Sequence, residues 1–141
     1  MGYDIDQEVT TLTTDECWEL LEANRLARLA VSVADRPDIF PINYATSGRK
    51  LYLRTSQGSK LLEIAINRHV ALEIDTVGEA DASSVVVHGE ARELKTDREI
   101  EAAERLPLRP QIGTFKPVYV EIVPTGVDGR RFVLGPEPEA L

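Results

Sequence analysis

The chain has 141 residues, 43% of them hydrophobic and 28% charged, and its formal net charge is -8. This length and composition are typical of one soluble globular domain, and no apolar run approaches the roughly 20 residues that span a membrane. The acidity argues against a nucleic-acid surface, which needs a basic face. With a single cysteine, Cys17, and no export or lipidation signal, the protein is expected to be cytoplasmic.

The first predicted element is a short helix that begins at a capping box. The Thr13 side chain can accept a hydrogen bond from the third helical N–H, while Glu16 reaches back to the Thr13 backbone. Cys17 and the leucines after it keep helical spacing, so this face is expected to be buried. Asn24 tolerates the left-handed backbone conformation and is predicted to stop the helix there.

Alternation of apolar and polar residues then predicts six or seven strands. They lie at residues 26–33, 39–45, 51–55, 70–75, 84–94 and 118–123, with a possible seventh at 126–133. Residues 35–37 and 47–49 are predicted turns, the second closing a tight hairpin. Pro41 cannot donate to a sheet ladder, which indicates an edge, a bulge or a nearby ligand. Gly89 indicates a bend or bulge in the fifth strand.

Two more helices complete the predicted fold. One covers residues 61–66, and the other begins at a capping box formed by Thr96 and Glu99 and runs to about Leu106. Mostly short connections without βαβ alternation favour a mainly β protein, an antiparallel closed or split barrel of six or seven strands with two or three peripheral helices. One domain is expected over residues 1–135, followed by a disordered tail at 136–141.

Residues 54–60, with the sequence Arg-Thr-Ser-Gln-Gly-Ser-Lys, predict a site for a phosphate group. The glycine permits a sharp turn, the hydroxyls and cations supply donors and charge, and the following helix presents unpaired N–H groups. The segment is neither a P-loop nor a dinucleotide-binding glycine turn. Ordinary nucleotide hydrolysis is therefore not expected.

The order of these segments resembles the pyridoxamine 5'-phosphate oxidase-like family of FMN-binding split barrels. The resemblance is carried by residues 28–33, 36–44 and 54–60, with residues 85–91 and 129–132 where the family has its long and closing strands. It implies a homodimer with FMN at the subunit interface. The cofactor-binding residues that it implies are Pro41, Ile42 and Asn43 along the isoalloxazine ring, Arg54, Thr55, Ser59 and Lys60 at the phosphate, and Arg131 from either subunit.

Each of these assignments has a plain structural alternative. Arg54 and Lys60 are also found as solvated surface cations, the less favoured interpretation here, and Arg131 is as typical of a surface ion pair. Asn43 is as typical of a residue whose side chain forms a hydrogen bond with a backbone group. His69 and His88, with one cysteine, do not supply converging metal ligands, so no metal site is expected. His88 is expected to be a half-buried strand histidine.

The resemblance favours an FMN-dependent oxidoreductase that acts on a small redox substrate of unknown identity. A flavin would carry the redox chemistry, which fits a chain without a nucleophile elbow or a catalytic triad. Pyridoxamine 5'-phosphate oxidase activity itself is not expected, because no Arg or His follows Phe132 to bind a substrate phosphate. The alternatives are an F420-dependent reductase on the same scaffold and a non-catalytic protein that binds a flavin or haem.

Overall fold

A computed structural model describes residues 9–56, 59–108 and 117–134, without the side chains of residues 56 and 59–62. The predicted tail at 136–141 lies outside the described residues. Seven strands and three helices occur in the described part of the chain. Their order is β1 Val9–Thr11, α1 Thr14–Ala23, β2 Leu26–Val33, β3 Arg36–Ser47, β4 Lys50–Ser56, α2 Ser59–Ile66, β5 His69–Val77, β6 Asp81–Glu93, α3 Asp97–Glu104 and β7 Pro117–Val133.

The strands form one antiparallel sheet that closes on itself. Their order is β1-β7-β4-β3-β2-β5-β6, and a second pairing of β7 with β6 completes a ring of six strands, with β1 added beside β7. The mainly β barrel predicted from the alternation of apolar residues is therefore confirmed. The bulge expected at Gly89 is also present, as a register shift between His88 and Gly89. A side chain at Gly89 would clash with the Val123 carbonyl, because a Cβ would lie 2.6 Å from that oxygen.

Helix α1 packs against the barrel through its predicted apolar face. Its capping box is present at Thr13, and Cys17, Trp18 and Leu21 are buried. These three residues, Leu12 and Gly129 are called the α1 contact below. A Cβ on Gly129 would lie 2.5 Å from the Cys17 sulfur, so the helix can approach β7 this closely only because residue 129 is a glycine.

Several boundaries differ from the sequence predictions, and four of these differences have a clear physical reason. Strand β1 was not predicted, because three residues are too few to show alternation. The two predicted C-terminal strands are one strand, β7, because a bulge with Thr125 as its extra residue lets the strand continue through Pro124, opposite Gly89. The first hairpin turns at Ala34 and Asp35, both with positive φ, so β3 begins at Arg36.

Asn24, the fourth difference, is not left-handed. Its φ is -118°, an extended conformation, and its side-chain amide donates to the Leu20 carbonyl at 2.8 Å. The prediction of a left-handed stop was therefore wrong, although the helix does end at this residue. No helix in the described ranges has the length and apolar character that crossing a lipid bilayer requires.

Candidate functional site

Strands β3 and β4 are paired over only part of their length. The ladder runs from Ser47 opposite Lys50 to Tyr44 opposite Leu53, and it stops there. Beyond this point residues 36–43 of β3 pair with β2, whereas residues 54–56 of β4 pair with β7. The two strands therefore diverge, and the opening between them is called the fork.

A pocket occupies the fork, and residues from both diverging strands line it. Its enclosed part is small, about 30 Å³, and the rest of the space between the strands is open to solvent. Its apolar lining comes from four barrel strands, β2, β3, β4 and β7, and from two residues outside the strands. These residues are Leu29, Phe40, Ile42, Leu53, Ile64, Leu108 and Val120. Its polar lining is Asn43, Arg54 and Thr55. An apolar cavity with a few converging polar groups is the usual form of a small-molecule site.

Arg54 supplies the strongest sign that this pocket takes a ligand. Its Nε is buried and has no hydrogen-bond partner among the described residues. Leaving a buried charged donor unpaired is unfavourable by about 1–3 kcal/mol or more. An anionic or strongly accepting group bound in the fork would satisfy this donor.

The fork brings four of the eight predicted site residues together. Ile42, Asn43, Arg54 and Thr55 line one pocket, and Pro41 precedes them on the exposed edge of β3, paired with Arg28 of β2. The missing N–H of Pro41 indicated an edge, a bulge or a nearby ligand, and the structure shows an edge. At Pro41, strand β3 pairs with β2 and with no other described strand. A role for these residues in cofactor binding remains a prediction.

The other three predicted residues are not brought to the fork by the described part of the chain. Ser59 and Lys60 begin α2, but their side chains lie outside the described residues, as do Gln57 and Gly58 entirely. Arg131 does not line the pocket. Its Nε lies 3.8 Å from Asp81, which is the surface ion pair that was one of the two interpretations of this residue.

Sequence reasoning missed the apolar residues of the pocket. Phe40 could have been found, because it lies two residues before Ile42 and so on the same face of an extended strand. Leu108 carried no signal, since it follows a helix in a segment without periodicity. Its place in the pocket results from tertiary packing alone.

A buried polar group lies on the outer face of the sheet near the fork. The Glu121 side chain is only 7% exposed, and it accepts hydrogen bonds from the Tyr52 hydroxyl at 2.9 Å and from Arg92 Nε at 3.0 Å. Burial, followed by the hydrogen bond to Glu121, raises the pKa of Tyr52 to about 12. Arg92 also pairs with Glu99 of α3, and this contact is the main cause that lowers the pKa of Glu99.

The two histidines lie away from the fork, at a second, shallow groove. His69 and His88 line it together with Ser32 and Pro37. His88 is exposed, so the expectation of a half-buried histidine was wrong. Within the described ranges, no group of three His, Cys, Asp or Glu side chains is placed to hold a metal ion.

Comparison with known proteins finds similarity over most of the chain. The family model of pyridoxamine 5'-phosphate oxidase matches residues 13–131. A Corynebacterium glutamicum structure, named as a candidate pyridoxamine 5'-phosphate oxidase, is 39% identical with a TM-score of 0.86 and covers 96% of this chain and 100% of its own. An FAD-binding protein from Mycobacterium smegmatis is 37% identical with a TM-score of 0.81, covering 89% and 100%. An uncharacterized Rhizobium meliloti protein is 35% identical over 123 residues, 81% of this chain and 82% of the relative.

Proposed function

The chain belongs to the pyridoxamine 5'-phosphate oxidase family, and from this premise we propose that it is a flavin-dependent oxidoreductase with its cofactor in the fork pocket. The observation that carries the proposal is the buried Nε of Arg54, which has no hydrogen-bond partner among the described residues and lies in an apolar pocket between two diverging strands. A flavin fits this lining, because it combines a large apolar ring with carbonyl acceptors and a phosphate. When bound, the flavin supplies the hydride and electron transfer.

The residues of the fork would have separate tasks. Arg54 would donate to a phosphate or carbonyl oxygen, with Asn43 and Thr55 beside it as further polar contacts. Phe40, Ile42 and the other apolar residues would exclude water from the ring. Ser59 and Lys60, at the start of the next helix in the chain, are the proposed further contacts for the phosphate. None of the described lining residues carries a carboxyl, imidazole or thiol group, so binding and shielding are the chemistry that this pocket offers.

FMN is the cofactor that we propose, and FAD is the second candidate. FMN follows from the phosphate site predicted at residues 54–60. FAD is favoured by the M. smegmatis relative, which is an FAD-binding protein 37% identical to this chain. Both contain the same ring and the same first phosphate, so the fork contacts would be shared. Acid release of the cofactor followed by chromatography separates the two candidates.

We also propose a homodimer that covers the open edge of β3. Residues 36–43 pair on one side only among the described strands, and Ile39 on this edge is 61% exposed. An unpaired edge with an exposed apolar side chain is stabilised by pairing with a second copy. Light scattering at micromolar concentration should give twice the 15.6 kDa of one chain. A single-chain mass with stoichiometric flavin bound would contradict a shared site.

The function is tested by titrating the purified protein with FMN and with FAD. Arg54→Met should weaken binding by about 10- to 150-fold, since a hydrogen bond to a charged group contributes about 1.5–3 kcal/mol. Arg49→Met is the matched control, because Arg49 pairs with Asp15 and does not line the fork pocket. Equal affinities for the two variants would show that the flavin does not bind in the fork. Failure of the bound flavin to oxidise any reduced nicotinamide or other donor would leave a binding protein, not an oxidoreductase.

A further inference from the structure

Helix α3 and the residues after it form a small unit on the outside of the barrel. Ala103 of α3 packs with Leu94 and Tyr119, and Leu108 packs against the same cluster. Leu108 also lines the fork pocket, where it lies with Arg54 and Thr55. One residue therefore belongs both to this outer unit and to the wall of the proposed cofactor site.

Apolar burial gives α3 little attachment to the barrel. Of its eight residues, Ala103 is buried and Ile100 is partly buried against the same cluster, so few apolar groups of the helix leave water. An ion pair adds to this attachment, because Oε2 of Glu99 in α3 lies 2.5 Å from Nη2 of Arg92 in β6, a contact between charges that lacks the geometry of a hydrogen bond. The carboxylate of Glu99 is therefore the polar link between the helix and the sheet.

The sheet side of this link is fixed in place. Arg92 and Tyr52 are the neighbours of Glu121 in the strand register, and both donate hydrogen bonds to its buried carboxylate. Removing one partner of a buried charge is strongly unfavourable, so these three side chains hold one another in position. The side chains of Tyr52, Glu121 and Arg92 are called the row below. Through Arg92, the helix is joined to this row.

This row is adjacent to the fork. Tyr52 and Arg54 are two residues apart on β4, so their Cα atoms are about 7 Å apart and their side chains leave the same face of the strand. Leu108 and Arg54 both line the fork pocket. The link between helix and row is therefore adjacent to the pocket wall that includes Leu108.

We propose that the ion pairs of Glu99, Arg92 and Glu121 position Leu108 as an outer wall of the fork pocket, and that this wall sets how long the pocket retains its flavin. The inference rests on the proposed flavin site. Leu108 acts by contact with the ligand, whereas Glu99 and Arg92 are positioning residues that act through it. With the wall displaced, water reaches the apolar pocket and the ligand leaves faster.

The test compares FMN dissociation rates of the wild type, Glu99→Gln, Leu108→Ala and the double variant. Glutamine keeps the shape of residue 99 and an oxygen for the Thr96 hydroxyl, which donates to Glu99 at 2.9 Å, but removes the charge. Asp15→Asn is the matched control, because Asp15 is also a first-turn carboxylate paired with a barrel arginine, Arg49. Amide exchange at Leu108, whose N–H donates to the Leu106 carbonyl at 2.7 Å, reports its position without flavin.

We expect faster FMN release by about two- to fivefold in Glu99→Gln, the range of a partly exposed ion pair, and by about tenfold in Leu108→Ala. The double variant should match Leu108→Ala alone, since Glu99 acts through Leu108. Amide exchange at Leu108 should rise in Glu99→Gln and stay unchanged in Asp15→Asn.

Two failures are distinguishable. Additive effects in the double variant, or unchanged release from Leu108→Ala, would overturn the positioning role while leaving the flavin site intact. A wild type that binds neither FMN nor FAD would overturn the proposed function. In that case unchanged amide exchange at Leu108 in Glu99→Gln would also remove the positioning role.

Discussion

The α1 contact and the fork belong to the same barrel but differ in whether their buried polar groups have hydrogen-bond partners. At the α1 contact, Leu21 is fully buried and the Tyr44 hydroxyl donates to its carbonyl at 2.7 Å. At the fork, two strands leave their ladder and the buried Nε of Arg54 has no described partner. The comparison indicates that the α1 contact supplies stability, whereas the fork gives up stability, which is expected of the binding site that we propose there.

Leu21→Ala should have the largest effect on stability and little effect on the fork. A fully buried leucine replaced by alanine typically lowers the free energy of unfolding by about 2–5 kcal/mol, and Leu21 is 0% exposed. Urea unfolding measures this change. The exposed neighbour Glu22→Ala is the control, with an expected change within about 0.5 kcal/mol. A large loss of FMN affinity in folded Leu21→Ala would show that the two regions are coupled.

Gly129→Ala tests the close approach of α1 to β7. The added methyl group would lie 2.5 Å from the Cys17 sulfur and 3.0 Å from a Leu12 methyl carbon. Overpacking of this kind lowers the free energy of unfolding by about 1–3 kcal/mol. Cys17→Ala removes the sulfur, so Gly129→Ala should be less unfavourable in that background. Equal losses in both backgrounds would mean that the helix does not depend on this contact.

Much of the α1 contact could be predicted from the sequence, because its signals are local. Thr13 and Glu16 have the spacing of a capping box, and Cys17 falls on the apolar face that follows. The fork could be predicted only in part. Asn43 and Arg54 belong to segments with recognisable residue types, but their meeting depends on where the ladder between β3 and β4 stops. No periodicity specifies that point, and Leu108 joins the site through packing from a distant segment.

Arg54→Met, in the fork, should change the free energy of unfolding in the opposite direction to the α1 variants. Removing a buried donor that has no described partner should raise the free energy of unfolding by about 1 kcal/mol in the absence of ligand. The same change should abolish most of the stabilisation that added FMN provides. Urea unfolding with and without FMN measures both effects. A loss of stability without ligand would indicate that Arg54 has a structural role.

Ala34 and Gly48 provide a smaller test in the hairpin turns, outside both regions. Both have positive φ, 50° for Ala34 and 57° for Gly48, a conformation that glycine adopts without strain. Ala34→Gly should therefore raise the free energy of unfolding by about 0.5–1 kcal/mol, and Gly48→Ala should lower it by a similar amount. FMN affinity should not change in either variant. Thermal unfolding that moves in the same direction for both would contradict these turn conformations.

The smallest expected effect is on alkaline stability and compares a tyrosine bonded to α1 with a tyrosine beside the fork. Burial raises the pKa of Tyr44, whose hydroxyl donates to the Leu21 carbonyl, and the pKa of Tyr52, beside the fork on β4, is raised to about 12 from the usual 10. A phenol with a raised pKa in the folded state gives its full stabilisation below pH 10 and loses it as the pH rises toward 12. The free energy of unfolding should therefore fall over this interval, and Tyr52→Phe should make the fall shallower.

Tyr44→Phe should do the same above pH 10, but it also removes the hydrogen bond to Leu21 and so should lower stability at neutral pH as well. Urea unfolding between pH 9 and 11 measures the slopes, and an unchanged slope in Tyr52→Phe would show that its phenol is not protected by the sheet and Glu121.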